Sequence, residues 1–185
     1  MAGSALSMKI DMRIPASLAC AVGVIALSGC GITSPSEGQS RSSAEAGIVA
    51  GTEYLARSFA SYALEGDGSV TAEDLAMIVD NVMVDTSTQA VEGQRRDSTI
   101  YGLTSDAATI SIRVFVPTAV TVNSGIYSES TDLFGCGTFQ ADLSEHIVAL
   151  SDEPCPDWIL KWNGDDAEEV SLEELLRADG KELKW

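Results

Sequence analysis

Between Thr109 and Val116 the chain reads Thr-Ile-Ser-Ile-Arg-Val-Phe-Val. Ile110, Ile112, Val114 and Val116 fall on one side of an extended backbone, and Ser111, Arg113 and Phe115 on the other. Side chains alternate across a strand with a period of two, so this segment buries one face against a second layer. Such a strand needs hydrogen-bonded neighbours on both edges and something apolar to cover its β-branched side. Pro117 is expected to stop it, because proline cannot donate to a ladder.

Candidate neighbours lie on either side. Ser98–Leu103, Ala119–Tyr127, Leu133–Leu143 and Glu145–Leu150 are short apolar or alternating runs separated by turn residues. Asn123-Ser124-Gly125 reads as a turn or bulge. The short spacings favour an antiparallel meander. The covering layer is expected upstream. Over Ala44–Leu64, Ile48, Leu55, Phe59 and Tyr62 recur at three, four or seven residues, which predicts a helix with Ser43 as N-cap and Gly66 as stop. Ala72 to about Met83 predicts a second helix, capped by Thr71, with Glu73 and Asp74 in its first turn and Leu75, Ile78, Val79 and Val82 on its buried stripe. Asp85–Asp97 is a polar connection. Near the end, Ser171-Leu172-Glu173-Glu174 has the form of a capping box opening a short helix to about Ala178, stopped by Gly180. The fold class expected is α+β: two N-terminal helices packed on an antiparallel sheet of four to six strands, a short C-terminal helix and one disulfide.

The amino-terminal region has a different character. Lys9 and Arg13 precede Ile14–Leu27, a run without a charge, and the run closes with Leu27-Ser28-Gly29-Cys30. A basic start, an apolar segment and small residues before a cut describe a secretory signal. The last four residues resemble the lipobox of bacterial lipoproteins, an aliphatic residue and two small ones before an obligatory cysteine. The resemblance covers about the first 30 residues. It implies that a diacylglyceryl group is attached to the Cys30 sulfur and that signal peptidase II cuts between Gly29 and Cys30. The chemistry fits the residue types, because the thiol takes the lipid and small neighbours admit the enzymes. Residues 1–29 are then a signal peptide, 30–43 a lipidated cysteine with a polar, Ser-rich tether, and 44–185 a single domain. The expected location is the extracytoplasmic face of a bacterial cell membrane.

Composition bounds the function. The chain has 185 residues, 11 basic and 28 acidic side chains and a formal net charge of −17. Lys9, Asp11 and Arg13 leave with residues 1–29, so the remainder is near −18. Such acidity opposes nucleic-acid binding and repels anionic headgroups, so the membrane is reached through lipid on Cys30. It also suits solubility, cations or a basic partner. Cys20 falls inside the apolar run, which leaves Cys136 and Cys155 as an isolated pair in an exported chain, most simply one disulfide.

Candidate chemistry is sparse. His146 is the single histidine, expected on a strand beside Val148 and Leu150, and no Gly-x-Ser-x-Gly elbow or phosphate-binding glycine loop is present. Glu65–Thr71 faintly resembles a calcium loop with Gly68 at the invariant glycine, yet Ala63 would then hold the first ligand position and Asp74 the last, where glutamate is usual. A capped turn between helices is the simpler reading, and no metal or cofactor is expected. Arg95-Arg96 is the one adjacent basic pair, and Asp165-Asp166, Glu168-Glu169 and Glu173-Glu174 form an acidic tract expected on a solvated helix face. Trp158 and Trp162, four apart and next to Cys155, are the candidate contacts for a ligand or partner, or else pack on the disulfide. No catalytic residue is assigned. The function expected is that of a lipid-anchored envelope protein binding an envelope protein or small ligand without catalysis. The alternatives are an envelope hydrolase using carboxylates and a cation-binding module.

Overall fold

The computed structural model describes residues 35–66, 69–82, 97–124, 127–163 and 166–185. The signal segment, Cys30, Asp67, Gly68, Arg95-Arg96 and Asp165 lie outside them, as does most of the polar connection 85–97. In chain order the elements are α1 (Pro35–Glu65), α2 (Ala72–Leu75), β1 (Asn81–Val82), β2 (Thr99–Ser105), β3 (Thr109–Ser124), β4 (Tyr127–Asp142), β5 (Ile147–Asp152), α3 (Asp157–Asn163), β6 (Glu168–Glu169) and α4 (Leu172–Ala178). The architecture is α+β. Strands β2 to β5 form an antiparallel meander, with β1 parallel to β2 and β6 parallel to β4.

The alternation in β3 sorts its side chains between the two faces of the sheet. Ile110, Ile112, Val114 and Val116 are buried with Ala44, Ile48, Leu55, Phe59 and Ala63 of α1, and with Leu172 and Leu176 of α4. The helix comes close enough that a Cβ on Gly47 would sit 2.6 Å from Thr118 Oγ1. Glycine inside a helix costs about 1 kcal/mol in propensity; here it lets the backbone press onto the strand. Gly135 does the same for the segment entering α4, since a Cβ there would meet Leu172 and lie 2.8 Å from the Val170 carbonyl.

Four expectations are corrected. The strand does not stop at Pro117; β3 runs through it to Ser124, merging two expected strands. Pro117 pairs with Phe134, whose carbonyl turns away to accept from Val170 N–H at 2.8 Å. Backbone groups at that pair point outward, so the missing proline N–H faces an edge β2 has already left, its last pairing there being Thr99 with Phe115. Next, the stretch read as tether is helical from Pro35. Proline suits a first helical position, and the Ser-rich turns are held by tertiary contacts: Ser40 is buried with its hydroxyl 2.8 Å from that of Thr131, and Arg41 makes a two-pronged pair with Glu168 at 2.7 and 2.8 Å. Third, the second helix closes after one turn. Thr71 is the expected cap and forms a capping box with Asp74, and Leu75, Ile78 and Val79 are buried, but Ile78 and Val79 both donate to the Leu75 carbonyl, and Asn81–Val82 joins the sheet. Fourth, His146 lies in the β4–β5 turn at φ 52°, exposed, rather than on a strand.

The β2–β3 and β4–β5 turns of the meander are built alike. Asp106 accepts from Ala108 and Thr109 N–H, both at 2.8 Å, and from the Thr109 hydroxyl at 3.0 Å. Asp142 accepts from Ser144 and Glu145 N–H at 2.9 and 3.0 Å and from the Ser144 hydroxyl at 2.7 Å. Both carboxyls are held below the usual aspartate range, the Asp106 carboxyl first by Ala108 N–H and the Asp142 carboxyl first by the Ser144 hydroxyl.

Candidate functional site

The face of the sheet away from α1 carries the residues singled out around the cysteines. Cys136 lies on β4, two residues from Phe134 on the same side, and Phe115 is its partner on β3. Cys155 sits just before α3 and is bonded to Cys136, with Cα atoms 5.2 Å apart. The disulfide brings α3 down onto the strand. Cys155 N–H is held at 3.0 Å by Glu169, so β6 supports the staple from the other side.

A small aromatic core forms around this bond. Tyr101, Phe115, Phe134, Ile159 and Trp162 are buried together with both sulfurs. Trp162 packs on Phe115 at 5.9 Å and on Trp158 at 6.0 Å. Trp158 is half-buried and meets the Tyr101 ring edge-on at 5.9 Å. Tyr101 reaches this face through a bulge: the β2–β3 register shifts between Ile100 and Gly102, which places one extra residue there. The Arg113 guanidinium lies over the Tyr101 ring at 5.7 Å. Burial, followed by the Glu153 and Glu169 carboxylates, pushes the Tyr101 phenol up to about 12 against the opposing pull of Arg113. Tyr101 Oη and Trp162 Nε1 are both buried, and neither has a hydrogen-bond partner among the described residues.

Of Trp158 and Trp162, Trp162 is buried, while Trp158 is half-buried. Both sulfurs are buried, which protects the bond from attacking thiols. The acidic tract is a helix face only in part: Glu173 and Glu174 open α4, and Glu174 is exposed. Glu168 and Glu169 form β6 and hold Arg41 and Cys155, and Glu173 accepts from Asp152 N–H at 3.1 Å. These roles depend on long-range partners and have no local signal in the chain. Asp74, placed last in the calcium-loop reading, accepts from Thr71 N–H and Oγ1 at 2.8 and 2.7 Å. Among the described residues no group of three or more His, Cys, Asp or Glu side chains is placed to hold a metal ion. The Ser144 hydroxyl donates to Asp142, not to His146.

A second surface feature was not legible in the sequence. Three large apolar side chains are exposed among the described residues, and two of them, Tyr54 at 58% and Met77 at 75%, line one groove of about 490 Å³. Gly51, Leu55, Ile78 and Val79 line it too, and Asp80 and Asp97 supply its charge. No helix of the described residues is long and apolar enough to cross a membrane. No protein-family model, curated protein or solved structure matches the chain.

Proposed function

We propose that this chain is a bacterial envelope lipoprotein, anchored through lipid on Cys30, whose domain acts by binding a protein partner or small ligand rather than by catalysis. The observation that carries the reading is Leu27-Ser28-Gly29-Cys30 at the end of the uncharged run from Ile14. The Cys136–Cys155 bond supports it, since disulfides persist in oxidising compartments outside the cytosol. Support for binding comes from the groove beside Tyr54 and Met77 and from the half-buried Trp158. Cys30→Ser in the full chain tests the anchor. The variant is expected to keep its signal segment, lose the diacylglyceryl mass and leave the lipid-anchored fraction, while the domain keeps its melting temperature. A Cys30→Ser protein still carrying the lipid mass overturns the reading.

A further inference from the structure

The sheet protects most of its edges. Outside β5, Val148 and Trp185 exchange backbone hydrogen bonds at 2.8 and 2.9 Å, and Leu150 donates to Leu183. Along β4, β5 and β6 cover Leu133–Asp142 in part, and the open remainder carries Glu129 and Asp132. β2 meets β1 at Thr99 and Ile100 and is then bent by the bulge. Charges, bulges and covering segments are the usual protection against edge-to-edge pairing.

Among the described residues, the outer edge of β3 beyond Pro117 has none of these. Residues 118–124 read Thr-Ala-Val-Thr-Val-Asn-Ser, without a charge in a chain that carries 39 charged side chains among 185 residues. The segment pairs with β4 on one side, and no strand among the described residues pairs with it on the other. Its parity follows from the turn below it, where Leu143 N–H donates to Ala108 and Asp106 N–H to Thr109. Even-numbered residues of β3 therefore bond to β4, and Ala119, Thr121 and Asn123 direct N–H and C=O to the open edge. The close approach of the Thr121 and Ser130 hydroxyls, 2.7 Å, marks the non-hydrogen-bonded pairs in the same way.

We propose that this edge pairs antiparallel with the same edge of a second copy of the chain, with Thr121 on the two-fold axis. Thr121 then faces Thr121 of the second copy, and Ala119 faces Asn123, using every outward backbone group of the segment. Val120 opposes Val122 on the α1 side, where both are half-buried already, and such β-branched cross-strand pairs stabilise sheets. The interface is isologous and closes as a dimer. The open β4 edge carries the Glu129 and Asp132 carboxylates, whereas the β3 edge carries no charge, which directs pairing to β3. Net charge opposes association of the two copies, so salt strengthens the dimer by screening. The pairing does not depend on the Cys30 anchor.

Register-specific cross-linking of the full chain in cells tests this. Thr121→Cys is expected to give a disulfide-linked dimer on a non-reducing gel, because facing residues of an antiparallel pair lie about 5.5 Å apart, within disulfide reach. Asn123→Cys alone is expected to give none, since its two copies would lie about 13 Å apart along the strand; adding Ala119→Cys restores the link. With purified full chain in detergent, sedimentation is expected to show tighter dimers as NaCl rises, and Thr121→Lys, which opposes two ammonium groups, is expected to raise Kd at least roughly tenfold with the melting temperature retained. A monomer at every salt concentration, equal cross-linking by Thr121→Cys and Asn123→Cys, or a Thr121→Cys link to a different protein or to residues 83–96 overturns the proposal.

Discussion

On one side of β3, Ile110, Ile112, Val114 and Val116 all vanish beneath a 31-residue helix; on the other, Arg113 is exposed, Ser111 is half-buried, and Phe115 is covered by a seven-residue one. The α1 face is aliphatic and continuous, drawing on both ends of the chain through α1 and α4. The α3 face is a patch of aromatic rings around one disulfide. A long amphipathic helix can hold a sheet by buried area alone, at about 25 cal/mol per Å². A helix of two turns buries too little, and isolated helices of that length do not persist in water. The covalent bond at the entry of α3 compensates by removing freedom from the unfolded chain. The same sheet is thus held by area on one face and by a staple on the other.

The comparison can be broken most forcefully from the α1 side. Phe59 is fully buried there, and Phe59→Ala is expected to cost about 3–5 kcal/mol in chemical denaturation, with the whole domain unfolding in one transition. A loss below about 1 kcal/mol would mean that α1 is not the main cover of the sheet.

Cys136→Ala comes next. Its loop spans 19 residues, so the expected loss is about 3 kcal/mol on the chain-entropy model. Amide hydrogen exchange is expected to quicken in Asp157–Asn163 while α1 stays protected. Uniform quickening over both faces would show that the staple supports the whole domain and not only its own side.

Tyr101→Phe is expected to go the other way. The Tyr101 hydroxyl is buried without a partner among the described residues, and an unsatisfied buried polar group costs about 1–3 kcal/mol. Removing it is expected to raise stability by up to about 1 kcal/mol in thermal unfolding. A loss would show that the hydroxyl is bonded in solution.

The smallest effect concerns the turns that join the strands both faces share. The Asp106 and Asp142 carboxyls titrate lower in the folded chain than in the unfolded one. Their contribution is therefore complete above the unfolded value, about 3.9, and is lost as pH falls through the lower folded values. Melting temperature followed downward from pH 6 is expected to hold until about pH 4 and then decline. Asp106→Asn combined with Asp142→Asn is expected to flatten that decline; an unchanged acid slope would assign it to other carboxylates.

The α1 face was more legible in the sequence than the α3 face, because hydrophobic periodicity marks long buried surfaces. The stripes through Ile48, Leu55 and Phe59 and through Ile110–Val116 each repeat often enough to set element type and facing. The α3 face left a shorter trace. Cys136 and Cys155 implied their bond by elimination, yet nothing local told which of Trp158 and Trp162 would be covered. Phe115 lies on the polar side of an alternating strand, and its burial depends on the distant α3 packing above it.

Local chemistry alone determined the direction of β3's apolar side, the cap at Thr71, the start of α4 at Ser171 and the pairing of the two cysteines. Each follows from neighbours within a few residues or from there being no other partner. Tertiary structure decided the rest. Pro117 continues a strand because its missing N–H meets an unpaired edge. Residues 35–43 are helical because Thr131 and Glu168 hold Ser40 and Arg41 from far along the chain. The glutamates at 168, 169 and 173 became structural acceptors because β6 and α4 fold back against Arg41, Cys155 and Asp152. Propensity and periodicity act over a few turns of chain, whereas these outcomes depend on which backbone and side-chain groups remain without a partner once the sheet has formed.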